Sequence, residues 1–317
     1  MSLVFCSLPR RSRSGLSIEL AAMVSFGLGT FLLGAAAMAQ DTAPAAGEPR
    51  TQAPIWLRHA FVRDYIEEGK TKKTKSNTLD VHYLQSPEYF SDIRFPKERP
   101  NFLNAHSFTD LTDQQLRALA GQNGSSGLTK MEGLVAHWHH DMDFQPSDGT
   151  PDQGRLEQIP PVRMHEHGLD GSYTEAWRWE SDGKGQFLVI RAEHSGRLLQ
   201  SLVVVDNVFI YARNRAKDLP AAKGFDALIK STNPTREQLI EYLDCEFSVG
   251  HVRGGSKPWE IEESTLPWRE GHQLNLADQI PDVGQLGSSP HEVGGNQWTV
   301  PVNTLSPGEF KALFAKQ

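Results

Sequence analysis

The chain has 317 residues, 39 acidic and 32 basic side chains, and a formal charge of −7, with 38% apolar and 22% charged residues. That apolar fraction excludes a disordered or collagen-like chain, and a single long apolar run excludes a polytopic membrane protein. The acidic balance argues against a nucleic-acid partner, which calls for a basic face.

The first 39 residues read as an export signal. Arg10, Arg11 and Arg13 form a positive start, residues 20–36 an apolar stretch, and Ala37-Met38-Ala39 a small-residue cleavage site. Cleavage before Gln40 leaves 278 residues with a charge of −9 and places the protein in the periplasm or outside the cell. The rival reading is an uncleaved anchor, since the apolar stretch is close to the roughly 20 residues that span a bilayer. With cleavage, no stable membrane insertion is expected. Cys6 leaves with the signal, so Cys245 has no intramolecular disulfide partner, and acidic neighbours on both sides mark it as an inert buried thiol. Residues 40–54 are a Pro/Ala linker without periodicity, expected to be disordered.

From Ile55 onward, strand patterns dominate. Residues 79–85 and 89–95 alternate around a Ser-Pro turn. Thr112 and Gln115 form a capping box that opens a helix within 109–122. Residues 134–144 read as a strand, 145–161 as a long loop, and 173–180 as a further strand. Residues 186–193, 197–205 and 208–215 form a clean antiparallel meander, its last two runs joined at Asp206-Asn207. Helices follow around 225–229 and after Thr235, then strands at 245–252, 259–263 and 271–276, and a last short helix capped by Ser306. Many short strands, few helices and no βαβ alternation imply a mainly β chain. The expected fold is one antiparallel β-barrel unit over 55–317, with C-terminal elaboration and a possible smaller second β half from about 216.

The His-rich strand holds the strongest candidate chemistry. Strict alternation puts His137, His139, Asp141 and Asp143 on one face, and Trp138, His140, Met142 and Phe144 on an apolar, core-facing one. In an acid–base reading His139 is the base, Asp143 its orienter and Glu175 the acid, because a carboxyl buried beside Trp177 and Trp179 would hold its proton. In a ligand-binding reading Trp138, Trp177 and Tyr211 are walls, His139, Glu175 and Arg213 are polar anchors, and Arg155 at the cavity mouth orients an acidic ligand. In a metal reading two His-x-His pairs, His137 with His139 and His165 with His167, hold Zn²⁺ or another divalent ion. Against all three stands a solvated barrel face, which also alternates polar residues. No G-x-S-x-G, P-loop or dinucleotide fingerprint is present, so no nucleotide cofactor is expected.

The runs DVHYLQSPEYFSDIRFPKERP, WHHDMDFQP, PDQGRLE, GSYTEAWRW, DCEFSVG and STLPWREG, spread over about 79–274, resemble a poorly characterised group of lipocalin-like proteins. The resemblance implies a calycin-type barrel whose cavity takes a small, mostly apolar molecule, and it carries no catalytic set. Such barrels include carriers as well as hydratases, cyclases and isomerases, so the resemblance leaves carrier and lyase-type enzyme both open.

Overall fold

A computed structural model describes residues 52–181, 184–275, 286–287 and 289–313. The leader expected at 1–39 and nearly all of the linker lie outside the described residues. No described helix is long and apolar enough to cross a membrane.

Eight antiparallel strands form a closed barrel. β1 (Ala60–Glu68) pairs along its length with β9 (Tyr173–Trp179), and this pairing closes a meander. The meander runs through β3 (Leu79–Gln85), β4 (Tyr89–Pro96), β5 (Asn123–Glu132), β6 (Val135–Asp143), β7 (Asp152–Ile159) and β8 (Arg163–Gly168). The short β2 (Thr74–Ser76) pairs with the distal end of β1, beyond the point where β3 leaves it. Closure removes the unpaired edges that a sheet of this length would otherwise expose.

The meander read at 186–215 forms, but not in the barrel wall. β10 (Phe187–His194), β11 (Arg197–Val205) and β12 (Val208–Arg213) are the centre of a second, seven-stranded sheet. That sheet continues through β13 (Glu246–His251) and β14 (Glu260–Ser264) on one side. On the other it adds β16 (Asn296–Asn303) and then β15 (His291–Val293). Three helices, α1 (Asp113–Leu119), α2 (Gly224–Thr232) and α3 (Arg236–Leu243), pack where barrel and sheet meet. The capping boxes predicted at Thr112 and Thr235 are both present, and Ser306 caps α4 (Pro307–Leu313).

The physical reason for two sheets lies in β4 and β6, which carry apolar residues on both faces. Phe90 points into the barrel, while Ile93 and Phe95 point out and pack on Val189, Val203, Ile210 and Phe247 of the second sheet. The opposite face of that sheet buries Tyr211, Phe209, Ile190 and Trp259 in a core of its own. Gly124 of β5 shows how close the layers come: a Cβ there would lie 2.6 Å from the ring of Phe247.

Three local readings need correction: of the strand expected at 271–276, only Gln273 pairs, in a single bridge to Glu260, among the described residues. Residues 145–161 are not a single loop, since β7 occupies Asp152–Ile159 and only the short stretch before it is irregular. Its inward positions include Asp152, Gly154 and Leu156, and of these three only Leu156 gives an apolar signal. β5 went unread because Asn123-Gly-Ser-Ser-Gly has low strand propensity. Small residues are needed there because Phe247 sits on Gly124 and Ser126 meets Ser201 at 3.1 Å.

Candidate functional site

The interior of the barrel is divided. One half is a packed aromatic core of Phe61, Tyr83, Phe90, Trp138 and Trp177, with Met131, Leu156 and Met164. The other half is charged: Arg63 on β1, Asp92 on β4, Glu166 on β8 and Glu175 on β9 bury their side chains inside the wall, and the half-buried Arg94 on β4 lies among them. Glu175 is held by Arg63 and, at 3.2 Å, by Arg94, which also donates to Asp92 Oδ1 at 2.8 Å. Asp92 Oδ2, Arg63 Nε and Glu175 Oε2 are buried and have no hydrogen-bond partner among the described residues.

This charged half opens outward. A recess of about 590 Å³ lies at the barrel mouth under residues 145–151, with α2 contributing Gly224. Its floor is Asp92, Arg94, Ser125, Trp138 and Asp152. The same five residues line a smaller inner pocket that reaches Tyr83, Phe90, Glu166 and Trp177. The hollow of the barrel is therefore mostly filled, and what remains accessible is a polar mouth with an aromatic neck.

His140 stands at the rim of the mouth. Its Nδ1 lies 2.6 Å from Asp143 Oδ1 and its Nε2 3.0 Å from Asp152 Oδ2. Burial opposes its charge, but the hydrogen bonds and charges of the two carboxylates prevail and raise its pKa to about 10. His140 is thus an imidazolium with both N–H groups engaged, not a free base. Deeper in, burial, reinforced by the charge of Glu175, pushes Glu166 up to about 8, against the hydrogen bond from Tyr173. Burial likewise raises Asp92, against the opposing pull of Arg94. Gly154 makes room for Glu166, since a Cβ there would lie 2.9 Å from its Cγ.

The expected faces of β6 hold only as far as His140. A register shift between Ser126 and Gly127 of β5 leaves Asp141 as an extra residue in the pairing. Beyond it, Asp143 turns to the same side as His140, and Met142 and Phe144 join the core between barrel and sheet. The expectation that His139 shares a face with Asp143 is therefore corrected. His139 is exposed and touches only the margin of the recess.

The other predicted site residues scatter. Trp138 and Trp177 point inward, and Trp138 Nε1 donates to Tyr83 Oη at 3.0 Å. Glu175 is inside but salt-bridged. Arg155 is exposed on β7, opposite His167 across the β7–β8 pairing. Tyr211 and Arg213 sit in the second sheet, away from the barrel interior: Tyr211 Oη donates to Gln200, and Arg213 pairs with Asp244 at 2.6 Å. His137 faces Glu132 at 3.6 Å on the outer wall, apart from the pair His165 and His167 on β8.

Sequence reasoning did not single out Asp92, Arg94, Arg63, Asp152, His140 or Glu166. One signal was available for the last two. Gly127 in mid-strand marks a bulge, and a residue between two outward histidines on a strand must point inward. Comparison with protein-family models, with curated proteins and with solved structures returned no match for this chain.

Proposed function

We propose that this is an exported lipocalin-like barrel that binds a small molecule at the mouth of the barrel, with a donor-bearing or cationic polar head directed inward and an aromatic or apolar body lying on Trp138. The leader-like segment supports export, and the closed barrel with its mouth recess supports binding. The single observation that carries the reading is Asp92 Oδ2, buried on the floor of the recess with no hydrogen-bond partner among the described residues. A buried carboxylate oxygen without a donor is costly, and a ligand N–H or O–H would satisfy it. With Asp92 counted, the recess holds four carboxylates, Asp92, Asp143, Asp148 and Asp152, against the three cations Arg94, His140 and Lys223, and this excess favours a cation or a neutral donor over an acid.

A second reading is a cofactor-free lyase, hydratase or isomerase. Glu166, raised to about 8 at the inner end of the recess, favours it. In that version Glu166 donates the proton and Asp92 accepts one.

The test uses tryptamine and indole-3-acetate as matched probes, followed by NMR of the His140 ring and the Trp138 indole. Tryptamine is expected to shift both signals and to bind several-fold more tightly than the acid, and Asp92→Asn is expected to erase the difference. Shifts confined to other residues, or equal binding of acid and amine, would refute the assignment. Conversion of a bound compound by wild type but not by Glu166→Gln would favour the enzyme reading.

A further inference from the structure

We propose that Glu157, His165 and His167 form a binding site for a divalent transition-metal ion, with Zn²⁺ as the reference ion, on the outer wall of the barrel. The site is separate from the mouth recess and does not depend on it.

The argument begins with strand geometry. His165 and His167 are two apart on β8, so both rings project from the same, outward face, while Glu166 between them points in. Glu157 is the direct pairing partner of His165 on β7 and therefore stands on that same face, diagonal to His167. The candidate ligand atoms of all three residues lie within 4.8 Å of one another. His167 Nε2 is already 3.0 Å from Glu157 Oε2. In a tetrahedral zinc site with bonds of about 2.0–2.1 Å, neighbouring ligand atoms are roughly 3.3 Å apart, so this edge needs almost no adjustment. The two imidazoles meet edge to face, with ring centroids 6.0 Å apart. Only a modest rotation of His165 then completes the set.

A surface ion pair would account for Glu157 and His167. It would not account for His165 closing the third corner, nor for the prop behind His167. The Nδ1 side of that ring lies 3.1 Å from the hydroxyl of Thr174, a buried residue on β9 that Lys73 in turn holds at 2.9 Å. A hydroxyl that accepts the Nδ1 proton leaves the Nε2 lone pair directed at the site, which is how outer-shell partners orient metal-bound histidine. Two imidazoles and one carboxylate suit Zn²⁺, and three protein ligands leave the fourth position to water. Of the four histidines that the sequence offered as ligands, the site uses His165 and His167. Glu157 takes the place of His137 and His139.

The experiment titrates untagged protein with Zn²⁺ alone, following heat and the imidazole signals by NMR. Saturable binding of one ion per chain is expected, with His165 and His167 signals affected first. Glu157→Gln, His165→Gln and His167→Gln should each weaken binding about tenfold or more, and the His137→Gln/His139→Gln double variant should bind like wild type. Melting temperatures in chelator verify that each variant is folded, and Zn²⁺ should raise that of the wild type but not that of the His165→Gln/His167→Gln double variant. Absence of saturable binding would overturn the proposal. So would binding that survives His167→Gln but is lost in the His137→Gln/His139→Gln variant.

Discussion

His140 and Asp143, three residues apart on one strand, face each other with Nδ1 and Oδ1 2.6 Å apart. In a regular strand they would project from opposite sides of the wall. The extra residue Asp141 restores the match, and it is tied down outside the barrel by Arg191 at 2.9 Å. Gly127, opposite the bulge, has no room for a side chain: a Cβ would lie 1.9 Å from the carbonyl oxygen of His139. The bulge thus turns one carboxylate into the mouth and sends the next one to the second sheet.

The charge on His140 makes stability depend on pH in a defined direction. His140 and His82 are both raised to about 10, in each case because two carboxylates outweigh the cost of burial. For His82 these are Glu180 beside β9 and Glu263 on β14, so this ring links barrel and sheet. The folded chain keeps protons that the unfolded chain releases near pH 6.5. The stabilisation is therefore complete below about 6.5 and fades as pH rises through about 10. His140→Gln and His82→Gln should each cost about 1–2 kcal/mol at pH 6 and little at pH 10. Urea midpoints across that range check this, and a cost that grows with pH would contradict it.

Glu166 acts in a lower window. Its carboxyl is raised from an ordinary value of 4.5 to about 8, so ionising it in the fold is harder than in the unfolded chain. The wild type consequently loses stability between about pH 4.5 and 8 relative to a neutral isostere. Glu166→Gln keeps an oxygen to accept the Tyr173 hydroxyl, which now donates to Glu166 Oε1 at 2.8 Å. At pH 9 this variant should be more stable than wild type by about 1–3 kcal/mol, and near pH 4.5 indistinguishable from it. Equal curves at both pH values would show that the buried carboxylate is compensated.

Much of the architecture could be read from residue patterns, because alternation and capping are local signals. The β6 strand, the 186–215 meander and the boxes at Thr112 and Thr235 are examples. The membership of the meander could not be read so. Val203 and Ile210 look alike whether they line a barrel or cover one, and only the apolar outer face of β4, at Ile93 and Phe95, hints at a second layer. The site was harder still. Arg63, Arg94 and Glu175 are far apart in sequence, and closure of β1 onto β9 is what brings them together. Asp92 and Arg94 read as ordinary polar positions until that closure encloses them.

The contact between Gly124 and Phe247 measures how firmly the second sheet is seated on the barrel. Gly124→Ala would place a Cβ 2.6 Å from the Phe247 ring, and that ring is fully buried. Overpacking of this kind costs about 1–3 kcal/mol. Phe247→Leu removes the obstructing ring edge at a cost of its own. The two changes together should cost less than the sum of the singles, with a favourable coupling of about 0.5–3 kcal/mol. Additive losses in a double-mutant cycle would show that the sheet yields at this point instead of resisting.

The Arg63–Glu175 pair decides whether the charged half of the barrel serves the fold or a ligand. Both side chains are almost wholly buried, and Glu175 is shared with Arg94. Removing Glu175 strands Arg63, so Glu175→Leu alone should cost about 3–5 kcal/mol, whereas Arg63→Met should cost less because Arg94 still holds Glu175. Changing both removes the stranded charge, and it leaves Arg94 its hydrogen bond to Asp92. If the pair exists for stability, the double variant should be about as damaged as the worse single. If the wall tolerates apolar filling here, as buried ion pairs often do, the double variant should recover most of the loss. We expect recovery, together with weaker tryptamine binding at the mouth, because without Glu175 the Arg94 guanidinium is left to Asp92 alone and competes with the ligand for that carboxylate. Urea unfolding and probe titration of the three variants check this, and a double variant that is both destabilised and still binding as tightly as wild type would contradict it.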